Sequence, residues 1–141
     1  MSAYTRSEAL SILTKATPDA LKELADTALT HLDEIEIIKN RTGLVMLPYT
    51  DSAEGTAFHL GEVLVAEAHI LVSREVEGYG MVIGRDLVQA MAVAVLDACI
   101  ALDIMMGDIY TFLDEQNHLQ IEADTLILKQ VQATRVEMET L

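Results

Sequence analysis

Few residues in this chain are equipped for chemistry, and the first of them are Gly84 and Arg85. They stand where a short β-prone run, Met81–Ile83, gives way to a long apolar segment that opens at Leu87. A helix starting there would offer free N–H groups and the positive end of its dipole to a phosphate-like anion. Arg85 is one of nine Lys and Arg residues in the chain, so Gly84 and Arg85 form a candidate anion site. Asp86 in the same turn opposes an anion. It is also the natural helix cap, with Gln89 three residues on, where a capping-box partner belongs. The plainer alternative takes Gly78 and Gly80 as turn glycines and Gly84 as a strand end. The spacing Gly-x-Gly-x-x-x-Gly is not the dinucleotide fingerprint, because two of its glycines precede the strand.

Asp97 lies inside the apolar segment, where a carboxylate has to be paired or protonated. Arg85 is more than three helical turns away, a long reach; Arg135 from the tail is a candidate partner for a structural ion pair, and a catalytic acid and simple exposure are the alternatives. The histidines are His31, His59, His69 and His118. If the strands that carry them pair, His59 and His69 could approach each other with Glu67 on the same face as His69, a conceivable metal site. No His-x-x-x-His spacing supports it. Cys99 is the single cysteine, which excludes an internal disulfide, and in the apolar segment it behaves as a small hydrophobe. No Gly-x-Ser-x-Gly elbow, Walker A loop or Cys/His nucleophile pattern occurs.

The elements that position these residues read as one α+β domain over residues 1–141. A first helix runs from Ser7 to about Lys15. Thr17-Pro18 restarts the chain, with Thr at the cap and Pro at the first helical position. Leu21, Leu24, Ala25, Ala28, Leu29 and Leu32 then share one helical face, so an N-terminal helical hairpin opens the fold. Strict alternation over Glu34–Ile37 marks a first strand. Asn40–Gly43 has turn composition, Leu44–Leu47 is a second strand stopped by Pro48, and Thr50–Gly55 is a polar loop. Thr56–Leu60 is a third strand. Val63–Ser73 is a fourth, with Leu64, Ala66, Ala68, Ile70 and Val72 on one face. Arg74–Gly80 reads as a polar turn before Met81–Ile83. Such short links join neighbours antiparallel, so a four- or five-stranded antiparallel meander is expected. Leu87–Met106 is a helix wrapped by other elements. It is the first of two or three C-terminal helices, with a break at Gly107-Asp108, a weak point at Asn117–His118, and Leu126 and Ile127 inward. Arg135–Glu139 alternates like a strand.

Composition narrows the partners. The 141 residues carry 23 Asp and Glu against nine Lys and Arg, a formal charge of −14. That surface repels a nucleic-acid polyanion and an anionic membrane alike, but it complements a basic protein. Aromatics make up 4% and Trp is absent, so bases would find few stacking platforms. The N-terminus shows no signal-peptide pattern, and Gln89, Asp97 and Asp103 make the apolar segment a poor membrane span. A cytoplasmic chain is expected.

Four ordered blocks carry a family resemblance: Thr42–Met46, Phe58–Val65, Gly78–Asp86 with Asp97-Ala98, and Ala133–Glu137. With them the chain resembles the PhnG family, one of the subunit families of the bacterial carbon–phosphorus lyase system. Met138 and Glu139 stand where the family tail often has aromatics. The resemblance implies a non-catalytic accessory subunit in alkylphosphonate catabolism, supporting transfer of alkylphosphonate to the ribose C1 of ATP with release of adenine. It implies partners among the other carbon–phosphorus lyase subunits, chiefly PhnI and also PhnH and PhnJ. It brings no catalytic residue and no cofactor in this chain, ATP being a substrate of the complex. The strand Arg135, Val136, Glu137 and Met138 is then the candidate docking segment, adding to a partner's sheet. The alternatives are a stand-alone phosphonate or phosphate-ester binding module at Gly84 and Arg85, and a homodimeric scaffold.

Overall fold

The computed structural model describes the backbone of residues 4–50 and 57–140 and the side chains of residues 4–46 and 62–129. The order of elements is α1 (Arg6–Thr14), α2 (Pro18–Leu29), β1 (Ile35–Thr50), β2 (Ala57–Val72), β3 (Val76–Ile83), α3 (Leu87–Ala101) and α4 (Met106–Thr140). The class is α+β, as the patterning implies, with helices, then an antiparallel meander, then helices.

The sheet has three strands in the order β1-β2-β3, not four or five. Two long strands absorb four expected ones. Asn40–Gly43 has turn composition, yet it stays in the ladder opposite Val65–Ala68. Pro48 does not stop β1, because β1 is an edge strand and a register shift falls between Leu47 and Pro48; an edge or a bulge is where a missing N–H is tolerated. Gly61 pairs with Leu47 inside β2 rather than ending it. The expected polar turn at Arg74–Gly80 shrinks to Ser73–Glu75. Ser73 and Arg74 adopt φ of 53° and 57°, the twist that suits a tight hairpin, and β3 starts at once at Val76.

Of the face assigned to β2, Leu64 is half-buried, and Ala66, Ala68, Ile70 and Val72 are fully buried. They lie under α3, the wrapped helix the sequence implies, whose residues Ala92–Cys99 are buried without interruption. The sheet covers one side of α3, and α1, α2 and α4 cover the rest. α1 and α2 are thus both seated on α3. Thr5 caps α1 by accepting from the Glu8 N–H at 3.1 Å. Thr17 precedes Pro18 as expected, but it does not cap α2. Its N–H and hydroxyl both donate to Gln116 Oε1 of α4, at 3.1 and 3.3 Å.

Gly78 and Gly80 are not turn residues. They lie in β3, facing α3, and a Cβ on Gly78 would stand 2.2 Å from the Ala94 carbonyl oxygen; one on Gly80 would stand 2.3 Å from that of Ala90. Ala90, Ala94 and Ala98 recur every four residues and present the matching stripe of small side chains. Helix and strand therefore touch backbone to backbone.

The α3–α4 link is a Schellman end: the Ile104 N–H donates to the Cys99 carbonyl and that of Asp103 to the Ile100 carbonyl, with Asp103 left-handed at φ 56°. α4 then runs through Asn117–His118 without a break. Arg135–Glu139 continues that helix rather than forming a strand; Arg, Glu and Met are good helix formers, and five alternating residues are too few to override them. The side chains of Arg135, Val136, Glu137 and Met138 lie outside the described residues.

The Gly–Ala seam sets a measurable expectation. Gly78→Ala or Gly80→Ala forces α3 off the sheet and costs about 3 kcal/mol or more, read from the urea midpoint. Gly43→Ala, where a Cβ meets nothing within 4 Å, shifts the midpoint far less.

Candidate functional site

The carboxylate of Asp97 is the best-furnished polar group in the body. The eleventh residue of α3, it is 3% exposed. Arg6 at the start of α1 grips it with two bonds, Nη2 to Oδ2 at 2.9 Å and Nε to Oδ1 at 3.2 Å. The Tyr79 N–H donates to Oδ2 at 3.0 Å. Asp97 thus ties α1, α3 and the edge strand β3 together, and it blocks one N–H of that edge against a stray strand. The hydrogen bond to Asp97 and its charge push the Arg6 guanidinium above its ordinary pKa. Where the sequence offers Arg135, the described residues give Arg6 as the partner. The signal was present, since Arg6 is a cation at a helix start facing the one carboxylate of an apolar helix, but only the packing of α1 on α3 brings them together. An open cleft of about 510 Å³ lies over the pair, bounded also by Leu71, Glu75, Glu77 and Ile100.

A second cluster occupies the sheet face turned away from α3. The Tyr79 hydroxyl donates to Glu67 Oε2 at 2.7 Å, and Arg41 Nε lies 3.4 Å from Glu67 Oε1. Burial, then the Glu67 carboxylate, push the Tyr79 phenol up to about 12. The bond from Tyr79 holds Glu67 below the ordinary carboxylate value. His69 sits edge-on to Tyr79 at 6.3 Å and 3.5 Å from Glu77. This cluster follows from the register His69↔Tyr79 and Glu67↔Met81, which stays hidden while Arg74–Gly80 is read as a turn. The conceived pairing of His59 with His69 fails on backbone grounds. Both lie on the one strand β2, ten residues apart, which at about 3.3 Å per residue separates them by roughly 30 Å. Among the described residues no group of three or more His, Cys, Asp or Glu is placed to hold a metal ion. Cys99 is buried, which pushes its thiol up to about 11.

Gly84 and Arg85 stand at the start of α3 as the sequence indicates. Gly84 has φ 110°, a conformation suited to glycine, and its N–H donates to the Leu64 carbonyl at 2.8 Å. Arg85 is exposed. The cap itself is Asp86, whose Oδ1 accepts from the Gln89 N–H at 3.0 Å. Lys22 of α2 reaches Asp86 Oδ2 at 2.6 Å. The helix N-terminus thus already holds a carboxylate, and that carboxylate already holds a cation. Lys22 first, then the Gln89 N–H, lower the Asp86 pKa.

A lowered folded-state pKa adds stability above the unfolded value that is lost as pH falls through the folded one. The stability gap between the wild type and Lys22→Met is therefore expected to be open at pH 7 and to close below about pH 4. Urea unfolding across pH 2–7 checks this; a gap independent of pH contradicts it.

Apolar side chains are bare in several places. Leu119, Ile121, Leu126, Ile127 and Leu128 on α4 and Leu44 and Met46 on the β1–β2 hairpin are each at least half exposed, and so are Ile37 on β1, Ile83 at the end of β3 and Val88 at the start of α3. Leu126 and Ile127, expected to face inward, are 57% and 58% exposed, because α4 outruns the helices it packs on. Among the described residues no helix is long and apolar enough to cross a membrane.

Residues 4–141 match the family model described as phosphonate metabolism protein PhnG. The chain is 30% identical over 138 residues, 96% of its own length and 87% of the relative's, to the alpha-D-ribose 1-methylphosphonate 5-triphosphate synthase subunit PhnG of Rhizobium meliloti (strain 1021).

Proposed function

Because the chain belongs to the PhnG family of phosphonate metabolism proteins, we propose that it is a non-catalytic subunit of a ribose 1-methylphosphonate 5-triphosphate synthase. It supports the transfer of an alkylphosphonate to the ribose C1 of ATP with release of adenine, and its partners are the companion subunits, chiefly PhnI and also PhnH and PhnJ. The observation that carries this reading is the contrast between core and periphery. A tightly packed centre around α3 holds its buried carboxylate in a two-bond ion pair with Arg6, while α4 and the β1–β2 hairpin present apolar side chains to water. Large bare apolar patches are what interaction surfaces look like. Docking through an added strand at Arg135–Met138 gives way to docking through a helix, since that segment is part of α4.

A second reading keeps an anion site at Gly84 and Arg85, favoured by the exposed Arg85 side chain. Asp86 weighs against it, since its carboxylate holds the place an anion would take.

The test is reconstitution. Tagged chain co-expressed with PhnH, PhnI and PhnJ captures them, and the assembly releases adenine from ATP and methylphosphonate. Omitting this chain lowers that rate by about tenfold or more, the scale of losing one essential positioning element. The isolated chain releases no adenine and gives no calorimetric signal with either compound. Adenine release by the isolated chain contradicts the reading, and a signal abolished by Arg85→Ala transfers the function to the anion site.

A further inference from the structure

We propose that the outer half of α4 docks into an apolar groove edged with lysine or arginine side chains on another subunit of the assembly, an inference that rests on the subunit reading above. The first turns of α4 are seated on the body by Ile109, Phe112, Leu113 and Gln116, all buried. The same side of the helix continues outward as Leu119, Ala123, Leu126 and Ile127. This is the i, i+4, i+7, i+8 spacing of helix-in-groove anchors, and at 100° per residue the four span an arc of about 100°. From Ile121 to Lys129 every side chain is exposed, so the body gives this length nothing to pack on. An isolated helix of this size is marginal in water without a packed apolar face.

Charge selects the occupant. Glu122 borders the stripe on one side, with Lys129 two turns further along that border, and Asp124 on the other; Glu122 also meets His118 one turn back, at 2.9 Å. A groove with basic edges satisfies both carboxylates as it buries Leu126 and Ile127. A second copy of this chain brings the same two carboxylates and a formal charge of −14, so it meets the stripe with repulsion. The companion must supply the positive charge.

The experiment compares three full-length chains, each co-expressed with the companion subunits: wild type, Leu126→Ser with Ile127→Ser, and Glu122→Lys with Asp124→Lys. All four positions are solvent-exposed, and circular dichroism and thermal melting of each chain confirm that its fold is retained. The serine variant is expected to capture the companions about tenfold or more weakly. The lysine variant is also expected to bind more weakly, with less sensitivity to salt than the wild type. If wild type captures the companions and both variants capture them equally well, this inference falls while the subunit reading stands. If wild type captures nothing, the subunit reading falls and takes the inference with it. A dimer of the isolated wild type, seen by light scattering and abolished in the serine variant, assigns the stripe to a second copy and overturns the proposal.

Discussion

The backbone contact between β3 and α3 is the constraint from which the other features descend. With hydrogen atoms at positions 78 and 80 and methyl groups at 90, 94 and 98, the helix lies on the strand at a distance that no larger side chain permits. That closeness brings the α3 carboxylate of Asp97 within reach of the Tyr79 N–H on the edge of β3. The same contact leaves α3 surrounded, so its flanks accept α1, α2 and the start of α4. A core so rich in Ala and Val is thin, and dense packing rather than bulk holds it together.

A thin core covers little. The sheet is screened on one face, and its other face carries the Arg41–Glu67–Tyr79 cluster in the open. The β1–β2 hairpin and α4 both run past the body that anchors them. In a monomer working alone, such surfaces are a liability; in a subunit they are where neighbours attach. The acid excess fits the same division, because it keeps like chains apart and leaves basic partners attractive. The family to which the chain belongs gives these surfaces their context: the Rhizobium meliloti relative is named as a subunit of a synthase rather than as an enzyme by itself.

Much of this was legible in the residues. The apolar run of α3, its Asp86 cap, the inward face of β2 and the Pro18 helix start follow from period and end chemistry, and the structure keeps each of them. The misreadings share one cause. Local composition marked Asn40–Gly43 and Pro48 as interruptions, whereas tertiary pairing carried β1 straight through, and it spread over Arg74–Gly80 a turn that pairing confines to Ser73–Glu75. Gly78 and Gly80 invited the same error, because a glycine needed for close approach looks like one needed for a turn. The partner of Asp97 could not be found by counting along the chain: Arg6 meets it only after α1 has packed. The alternation at Arg135–Glu139 suggested a strand but is too short to compete with a helix already under way. The candidate anion site keeps its place at a helix start, though its cap residue already supplies the charge.

The central claim is that the chain folds around its own seam and acts through the surface it leaves bare. Hydrogen exchange at individual amides, free and in the assembled complex, addresses it most directly. The account predicts that amides of α3 and β3 are equally protected in both states, and that those of residues 121–129 in α4 gain about a hundredfold or more in protection on assembly. Equal exchange of 121–129 in both states, or a seam that becomes protected only on assembly, contradicts it.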